Sequence, residues 1–317
     1  MPNADLREIG SLLTDPLRSF VIVTHRDPDF DAIGSCLAMY QQLKRLCRQV
    51  LIWVPDTLPL HAEFLPDSDE IVTALPSGYT YDTVISLDAS NLDRIRQLDQ
   101  VNPDAYWINI DHHQDNTYFG QANYVSGMSS VGELLSCIFK EFDWPITEDM
   151  ANCLYTAILF DTGGFAHSNV SAQTFRSAAR LVESGAKTAH IYHTMYEQLP
   201  LAAFEAIKVG LNSLIIDTEL RYGYCLLPEV VAPFGYEVLD LVRRLAELDI
   251  VLIFREHSAG TVKINLRSKT DFNVADFAAT FGGGGHRKAA GLALPGTLET
   301  VSGQVVNALR ETLSRSV

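Results

Sequence analysis

The chain has 317 residues, 47% of them hydrophobic, and a formal net charge of −15. That apolar content builds sizeable cores, and the length exceeds what one core comfortably organises, so two domains are expected. The acidic balance leaves no global basic stripe of the kind that displaces counterions along nucleic acid, which argues against a protein that tracks long DNA or RNA.

The first 19 residues scatter Asp5, Arg7, Glu8, Asp15 and Arg18 among apolar positions and lack the basic start and apolar block of a secretion signal. Residues 20–24 read as a buried strand. Residues 31–46 read as a helix, with Ile33, Leu37, Met39, Leu43 and Leu46 on its apolar stripe. Further strands are expected at 50–54, 83–87 and 106–110, with helical stretches near 91–100, 130–142, 148–160 and 171–185. Strands alternating with helices predict a parallel sheet with helices on both faces. Residues 187–212 read as helical and connecting. Beyond them the pattern changes: strands at 213–218, 222–227, 250–255 and 261–267 and helices at 236–247, 273–280 and 298–314 predict a smaller α+β domain. The expected fold class is therefore α/β in an N-terminal domain (1–187), then a helical linker (188–212) and a C-terminal α+β domain (213–317). No apolar run approaches the roughly 20 residues that span a bilayer. The five cysteines (Cys36, Cys47, Cys137, Cys153, Cys225) show no C-x-x-C spacing and read as reduced residues of a cytoplasmic protein.

Three polar clusters, Asp27–Asp31, Asp88-Ala89-Ser90 and Asp111-His112-His113, stand at the carboxyl ends of expected strands. Ligands of open α/β sheets bind at that edge. Asp29 and Asp31 lie two apart on a turn after a strand, a spacing that aims two carboxylates at neighbouring ions; Asp31 also reads as a cap for the helix that follows. Taken singly, each segment also reads as an ordinary turn, cap or helix stop. Carboxylate combined with imidazole suits Mn²⁺, Fe²⁺ or Co²⁺.

In order, the chain carries His25-x-x-Pro28-Asp29-x-Asp31-Ala32-x-Gly34-Ser35, then Asp88, then Asp111-His112-His113, then Asp161-Thr162-Gly163. This series resembles the motifs of DHH phosphoesterases. The run Gly283-Gly284-Gly285-His286-x-x-Ala289-Ala290-Gly291 resembles the signature of the DHH-associated C-terminal domain. Length and layout look like the nanoRNase/pAp-phosphatase branch. The resemblance implies two divalent metal ions, usually Mn²⁺, the first held by His25, Asp29 and Asp88 and the second by Asp31, Asp88, His112 and Asp161. It implies that Asp111 orients a histidine and that His113 faces the scissile phosphate. Substrate contacts would come from Arg267, Gly283, Gly284, Gly285 and His286, with Ser168 and Asn169 compensating for Ala166, where relatives carry arginine. Phe30 likewise stands where relatives have glycine.

The implied function is hydrolysis of short oligoribonucleotides to mononucleotides, together with pAp to AMP, in a cleft between the two domains. Partners would be short RNA or a small nucleotide, with no membrane; the family admits a homodimer. Alternatives within the same motifs are a phosphodiesterase of cyclic or linear dinucleotides (c-di-AMP, pApA) and a non-catalytic, metal-dependent nucleotide sensor. An inorganic pyrophosphatase would share the N-terminal motifs and lack the glycine–histidine signature.

Overall fold

The structure, a computed structural model, describes residues 3–46, 48–257 and 260–314; Cys47 and the side chain of His286 lie outside the described part. The chain divides into two compact units, 1–198 and 199–317.

In the first unit, α1 (Leu6–Thr14) leads into β1 (Ser19–Val23), α2 (Phe30–Arg45), β2 (Gln49–Trp53), β3 (Ile71–Val72), β4 (Thr83–Leu87), β5 (Tyr106–Asp111) and β6 (Ala122–Val125). Helices α3 (Val131–Glu141), α4 (Glu148–Asp161), α5 (Ala172–Glu183) and α6 (Thr188–Tyr196) follow. The sheet runs β3-β2-β1-β4-β5-β6 and every pair is parallel. Strand order therefore reverses between β1 and β4, and a crevice opens at the carboxyl ends of those two strands, where open α/β sheets take their ligands.

Side chains alternate across the sheet, as the two-residue period of a strand demands. Phe20 and Ile22 pack with Ile85, Leu87, Ile108 and Ile110 under α2, α3 and α4. Val21, Val23 and Val84 face the other way, into a cluster with Trp53, Ile95, Val101 and Ala105. Full burial of each such aliphatic side chain is worth about 1.5–3 kcal/mol. Where a helix is expected over 91–100, this second face is covered by two short 3₁₀ turns, Leu92–Arg94 and Leu98–Gln100. The reason is in the spacing: Leu92, Ile95, Leu98 and Val101 recur every three residues, the period of a 3₁₀ turn, and Gln97 sits at φ 51° between the turns.

The expected connection at 188–212 is two helices: α6 in the first unit and α7 (Leu201–Asn212) in the second. The second unit continues with β7 (Ile215–Asp217), β8 (Tyr222–Leu227), α8 (Gly235–Val242), β9 (Ile250–His257), β10 (Thr261–Ser268), α9 (Val274–Ala279), β11 (Gly284–His286), β12 (Ala289–Pro295) and α10 (Leu298–Ser314). Its sheet runs β11-β12-β10-β9-β8-β7; only the β8–β9 pair is parallel. One face buries Ile250, Leu252 and Phe254 with Val274, Val301, Val305 and Leu309 of α9 and α10. The opposite face buries Val251 and Ile253 with Val238, Leu239 and Val242 of α8. No described helix is long and apolar enough to cross a membrane, and Cys36, Cys137, Cys153 and Cys225 are free.

Candidate metal centre

At the end of β1, the Thr24 hydroxyl donates to the carbonyl of Leu87 (2.8 Å) and fixes the mouth of the crevice between β1 and β4. His25 follows. Its Nδ1 lies 2.8 Å from the carbonyl of Arg26, which turns Nε2 toward Asp88 Oδ2 (3.3 Å) and Asp29 Oδ2 (4.0 Å). Asp29, not Asp31, caps α2: its Oδ1 accepts the amides of Asp31 (2.9 Å) and Ala32 (3.1 Å), so Oδ2 is the oxygen left to face His25. Asp31 lies in the first turn of α2, fully buried, and serves a different helix. Its Oδ2 accepts the amide of Val131 (2.8 Å) and its Oδ1 the amide of Gly132 (2.9 Å), both at the N-terminus of α3. A carboxylate there meets orphan N–H groups and the positive end of the helix dipole. Phe30 is turned inward, 5.8 Å ring to ring from Phe160 and 6.0 Å from Phe64. It thereby joins the turn that carries Asp29 and Asp31 to the helix end that carries Asp161.

Asp88 ends β4 with φ 61°, a left-handed backbone that costs a non-glycine residue energy and marks functional turns. Its Oδ1 is buried and finds no hydrogen bond of acceptable geometry; the nearest donors are His112 Nε2 (3.4 Å) and His113 Nδ1 (3.5 Å). His112, after β5, has Nδ1 3.2 Å from the carbonyl of Met128. Its Nε2 therefore faces Asp161 Oδ2 (3.2 Å), Asp88 Oδ1 (3.4 Å) and Asp31 Oδ2 (3.9 Å). Asp161 is the last residue of α4. Two sets of donor atoms, His25–Asp29–Asp88 and Asp31–His112–Asp161, each lie within 4.8 Å of one another, and Asp88 reaches a histidine of both.

A third grouping, Asp88–His112–His113, is equally tight. His113, however, commits Nδ1 to Asp111 Oδ1 at 2.7 Å. Asp111 is fully buried, and its Oδ2 accepts the amide of Asn116 at 2.5 Å. Asn116 also donates to the carbonyl of Ala89 (3.3 Å). His113 is thus held by a carboxylate and presents Nε2.

The protonation behaviour is that of a site made for cations. Burial works against a charge on His25, but the hydrogen bond and charge of Asp88, with Asp29, push its pKa up to about 9. His112 is raised well above the usual imidazole range by Asp88, Asp161 and Asp31, against the same burial penalty. Burial and the Asp88 charge push Asp31 up to about 8; burial and mutual repulsion also raise Asp29 and Asp161. Asp88 alone is held low: burial opposes this, but the facing imidazoles of His112 and His25, with the charge of His113, overcome it. Cys36, buried beside Asp88 and Asp31, has its thiol pushed well up by burial and those charges, and so remains a neutral neighbour. Four carboxylates and two imidazoles with their spare lone pairs converging, and no thiolate, fit divalent cations of the carboxylate–imidazole class.

The remaining expected residues fall elsewhere. Ser168 is exposed. Asn169 is exposed too, but its side-chain amide is spent inward, donating to the carbonyls of Ser129 (3.0 Å) and Asp161 (3.1 Å). In the second unit, Arg267 is half-buried on β10 and donates to the carbonyl of Leu266 (3.0 Å). Its pKa is lowered by burial, with Arg243 and Arg255 adding to that against Tyr236 and Asp240. The glycine run, expected to supply substrate contacts, forms the edge strand β11, paired with Ala289–Gly291 of β12. A side chain on Gly283 would meet the carbonyl oxygen of Gly291 at 2.4 Å, so glycine is required at that position because two backbones touch there. Asn116 and Ser129 carry no motif, and Glu133 is marked only by Ser130-x-x-Glu133, a helix-start pattern that does not point to the site.

Residues 19–158 match the family model "DHH family, N-terminal domain", and residues 237–317 match "DHHA1 domain". The bifunctional oligoribonuclease and PAP phosphatase NrnA of Thermus thermophilus is 30% identical over 98% of this chain and 95% of its own. The chain belongs to the DHH family. The NrnA of Bacillus subtilis is 26% identical to this DHH chain, over 86% of it and 89% of the relative. Among solved structures, an exopolyphosphatase-related protein from Bacteroides fragilis superposes with TM-score 0.87 at 24% identity, covering 98% of this chain and 96% of the other. RecJ of Thermus thermophilus, solved with Mn²⁺, gives TM-score 0.58 at 16% identity, over 99% of this chain and 55% of RecJ. Both likenesses are of fold. Membership of the family supports hydrolase chemistry on phosphoesters, and the DHH chain carries acidic and histidine groups that can hold metal.

Proposed function

We propose that this DHH chain is a manganese-dependent phosphodiesterase and phosphatase. It releases mononucleotides from oligoribonucleotides a few residues long and removes the 3′-phosphate of pAp. The observation that carries the reading is the convergence of His25, Asp29, Asp31, Asp88, His112 and Asp161 from four chain segments, with Asp88 3.3 Å from one ligating histidine and 3.4 Å from the other. The oligoribonuclease and PAP phosphatase activities for which the Thermus and Bacillus relatives are named support the substrate class. A cytoplasmic location belongs to the same reading.

His25, Asp29 and Asp88 would hold one ion; Asp31, His112 and Asp161, with Asp88 between, would hold the other. A pair of divalent cations, when bound, balances the four carboxylates, draws the phosphate oxygens and lowers the pKa of water. The protein's own groups do the rest. Asp111 accepts from His113 Nδ1 and so leaves Nε2 as the atom that carries a proton toward substrate. Burial disfavours the imidazolium, while the Asp111 hydrogen bond and the Asp88 charge raise the pKa of His113. Arg267 and Gly283–His286 of the second unit supply substrate grip.

The test is a 5′-labelled RNA dimer with Mn²⁺. The wild-type chain yields mononucleotides, and Asp88→Ala and His112→Ala lose nearly all activity; full rates in those variants mean the site is misassigned. His113→Ala lowers kcat by about 10²–10⁴-fold while Mn²⁺ affinity stays unchanged. A panel of pAp, pApA, c-di-AMP and pyrophosphate at matched Mn²⁺ tests the substrate class, and faster turnover of c-di-AMP than of RNA dimers overturns it.

A further inference from the structure

The geometry assigns Asn169, Ser129 and Glu133 to a positioning network that sets the direction of two ligating side chains, His112 and Asp161, and that makes no contact with substrate. The inference rests on the metal-centre reading above. Asp161 ends α4, so its carbonyl is one of the acceptors a helix terminus leaves without an intrahelical donor. Asn169 Nδ2 donates to it (3.1 Å), as does the ring of His167 (3.2 Å to Nδ1). The second Asn169 amide hydrogen goes to the carbonyl of Ser129 (3.0 Å). One planar amide therefore ties the backbone of Asp161 to the turn at 126–130. That same turn presents the carbonyl of Met128 to His112 Nδ1, the contact that makes Nε2 the ligating nitrogen.

The turn is anchored from below by Glu133. Its Oε2 accepts the amide of Ser129 (3.1 Å), the hydroxyl of Ser129 (2.6 Å) and the hydroxyl of Thr174 (3.0 Å). Glu133 is 1% exposed, and its Oε1 is buried with no hydrogen bond. Among the described residues, no arginine, lysine or histidine pairs with it. A carboxylate kept in such surroundings is expensive, and what it holds is the Ser129 end of the network. The chain Glu133–Ser129–Asn169–Asp161 thus runs from the buried start of α3 to a ligand, and Met128 branches from it to the other. Asn169, expected at the outset as a substrate contact, has both amide hydrogens committed and acts on the ligands.

The experiment is calorimetric titration of Mn²⁺ into EDTA-treated, dialysed full-length protein, with bound ions counted by the Mn²⁺ EPR signal. The expected result for wild type is two bound ions. Asn169→Asp keeps size and adds a negative charge but removes both donated hydrogen bonds. It is expected to weaken the ion held by His112 and Asp161 by about 10–100-fold and leave the other unchanged. A purely electrostatic influence would instead tighten binding. Glu133→Gln preserves an acceptor for Ser129 and is expected to retain affinity that Glu133→Ala loses. Melting temperatures without metal separate misfolded variants from mispositioned ones. If wild type binds two ions and Asn169→Asp binds both as tightly, the network is overturned while the metal centre stands. If wild type binds none, the metal-centre reading falls and takes the network with it.

Discussion

Asp111 shows how a residue that touches nothing reactive sets what its neighbour can do. Both of its oxygens are used, one by His113 and one by Asn116, in a site sealed from water. Asn116→Ala leaves Asp111 Oδ2 buried without a donor, which costs about 1–3 kcal/mol. Urea denaturation is expected to report that loss, and kcat to fall with it, while calorimetric Mn²⁺ affinity is unchanged because no ligand is disturbed. An unchanged kcat would show that Asn116 is only structural. The contrast with the converging acidic and histidine residues is instructive. His25, Asp29, Asp31, Asp88, His112 and Asp161 stand out in the sequence because they lie in recognisable motifs after apolar runs. Asn116, Ser129 and Glu133 do not, and Asn169 stands out only as a substrate contact, since their meaning lies in hydrogen bonds between segments far apart in the chain. Asp31 was half legible: capping and metal binding are both carboxylate chemistry, and only the fold shows that it serves α3 while Asp29 serves α2.

Helices α2, α3 and α4 meet where Asp31 lies, and small residues permit it. A Cβ on Gly132 would sit 2.5 Å from Ala157 Cβ and 3.0 Å from the carbonyl oxygen of Leu154. Gly132→Ala therefore forces α3 away from α4, an overpacking cost of about 1–3 kcal/mol. It also moves the Val131 and Gly132 amides that hold Asp31. The expected outcome is a lower urea midpoint together with weaker Mn²⁺ binding; loss of stability with intact binding would show that Asp31 does not depend on α3. At this scale the long apolar strands β1, β4 and β5 and the periodic helices were legible from their patterning. Among the elements that were not, two kinds show the reason. Strands β3 and β6 are two and four residues long, too short to display a period. β11 is built from glycines, whose lack of side chains hides any alternation and whose strand character comes from pairing with β12.

Across the whole molecule, the acidic centre ties the stability of the first unit to protons and cations. Asp31 has a folded pKa of about 8 against an ordinary 3.8, and His25 about 9 against 6.5. In both cases the folded state binds protons more tightly than the unfolded chain. Stability linked to them is therefore full below the unfolded values and is lost as pH rises, through about 3.8–8 for Asp31 and 6.5–9 for His25. Asp88, held low, has the opposite sign, but its window lies below the ordinary carboxylate range and outside this interval. Protein treated with EDTA is thus expected to melt at lower temperature at pH 9 than at pH 6. Divalent cations compete with those protons, so Mn²⁺ should raise the melting temperature more at pH 9 than at pH 6. Hydrogen exchange resolves where the effect acts. The second unit has cores of its own, built on β8–β10 with α8 to α10, and contains none of the six residues proposed to hold metal. Slowed exchange on adding Mn²⁺ is therefore expected in peptides covering β1, β4, β5 and the ends of α2 and α4, with no change in β9 and β10. Equal slowing in β9 and β10 would mean that the cations stabilise both units together, and a melting temperature that rises with pH under EDTA would mean that the clustered carboxylates do not hold the protons assigned to them.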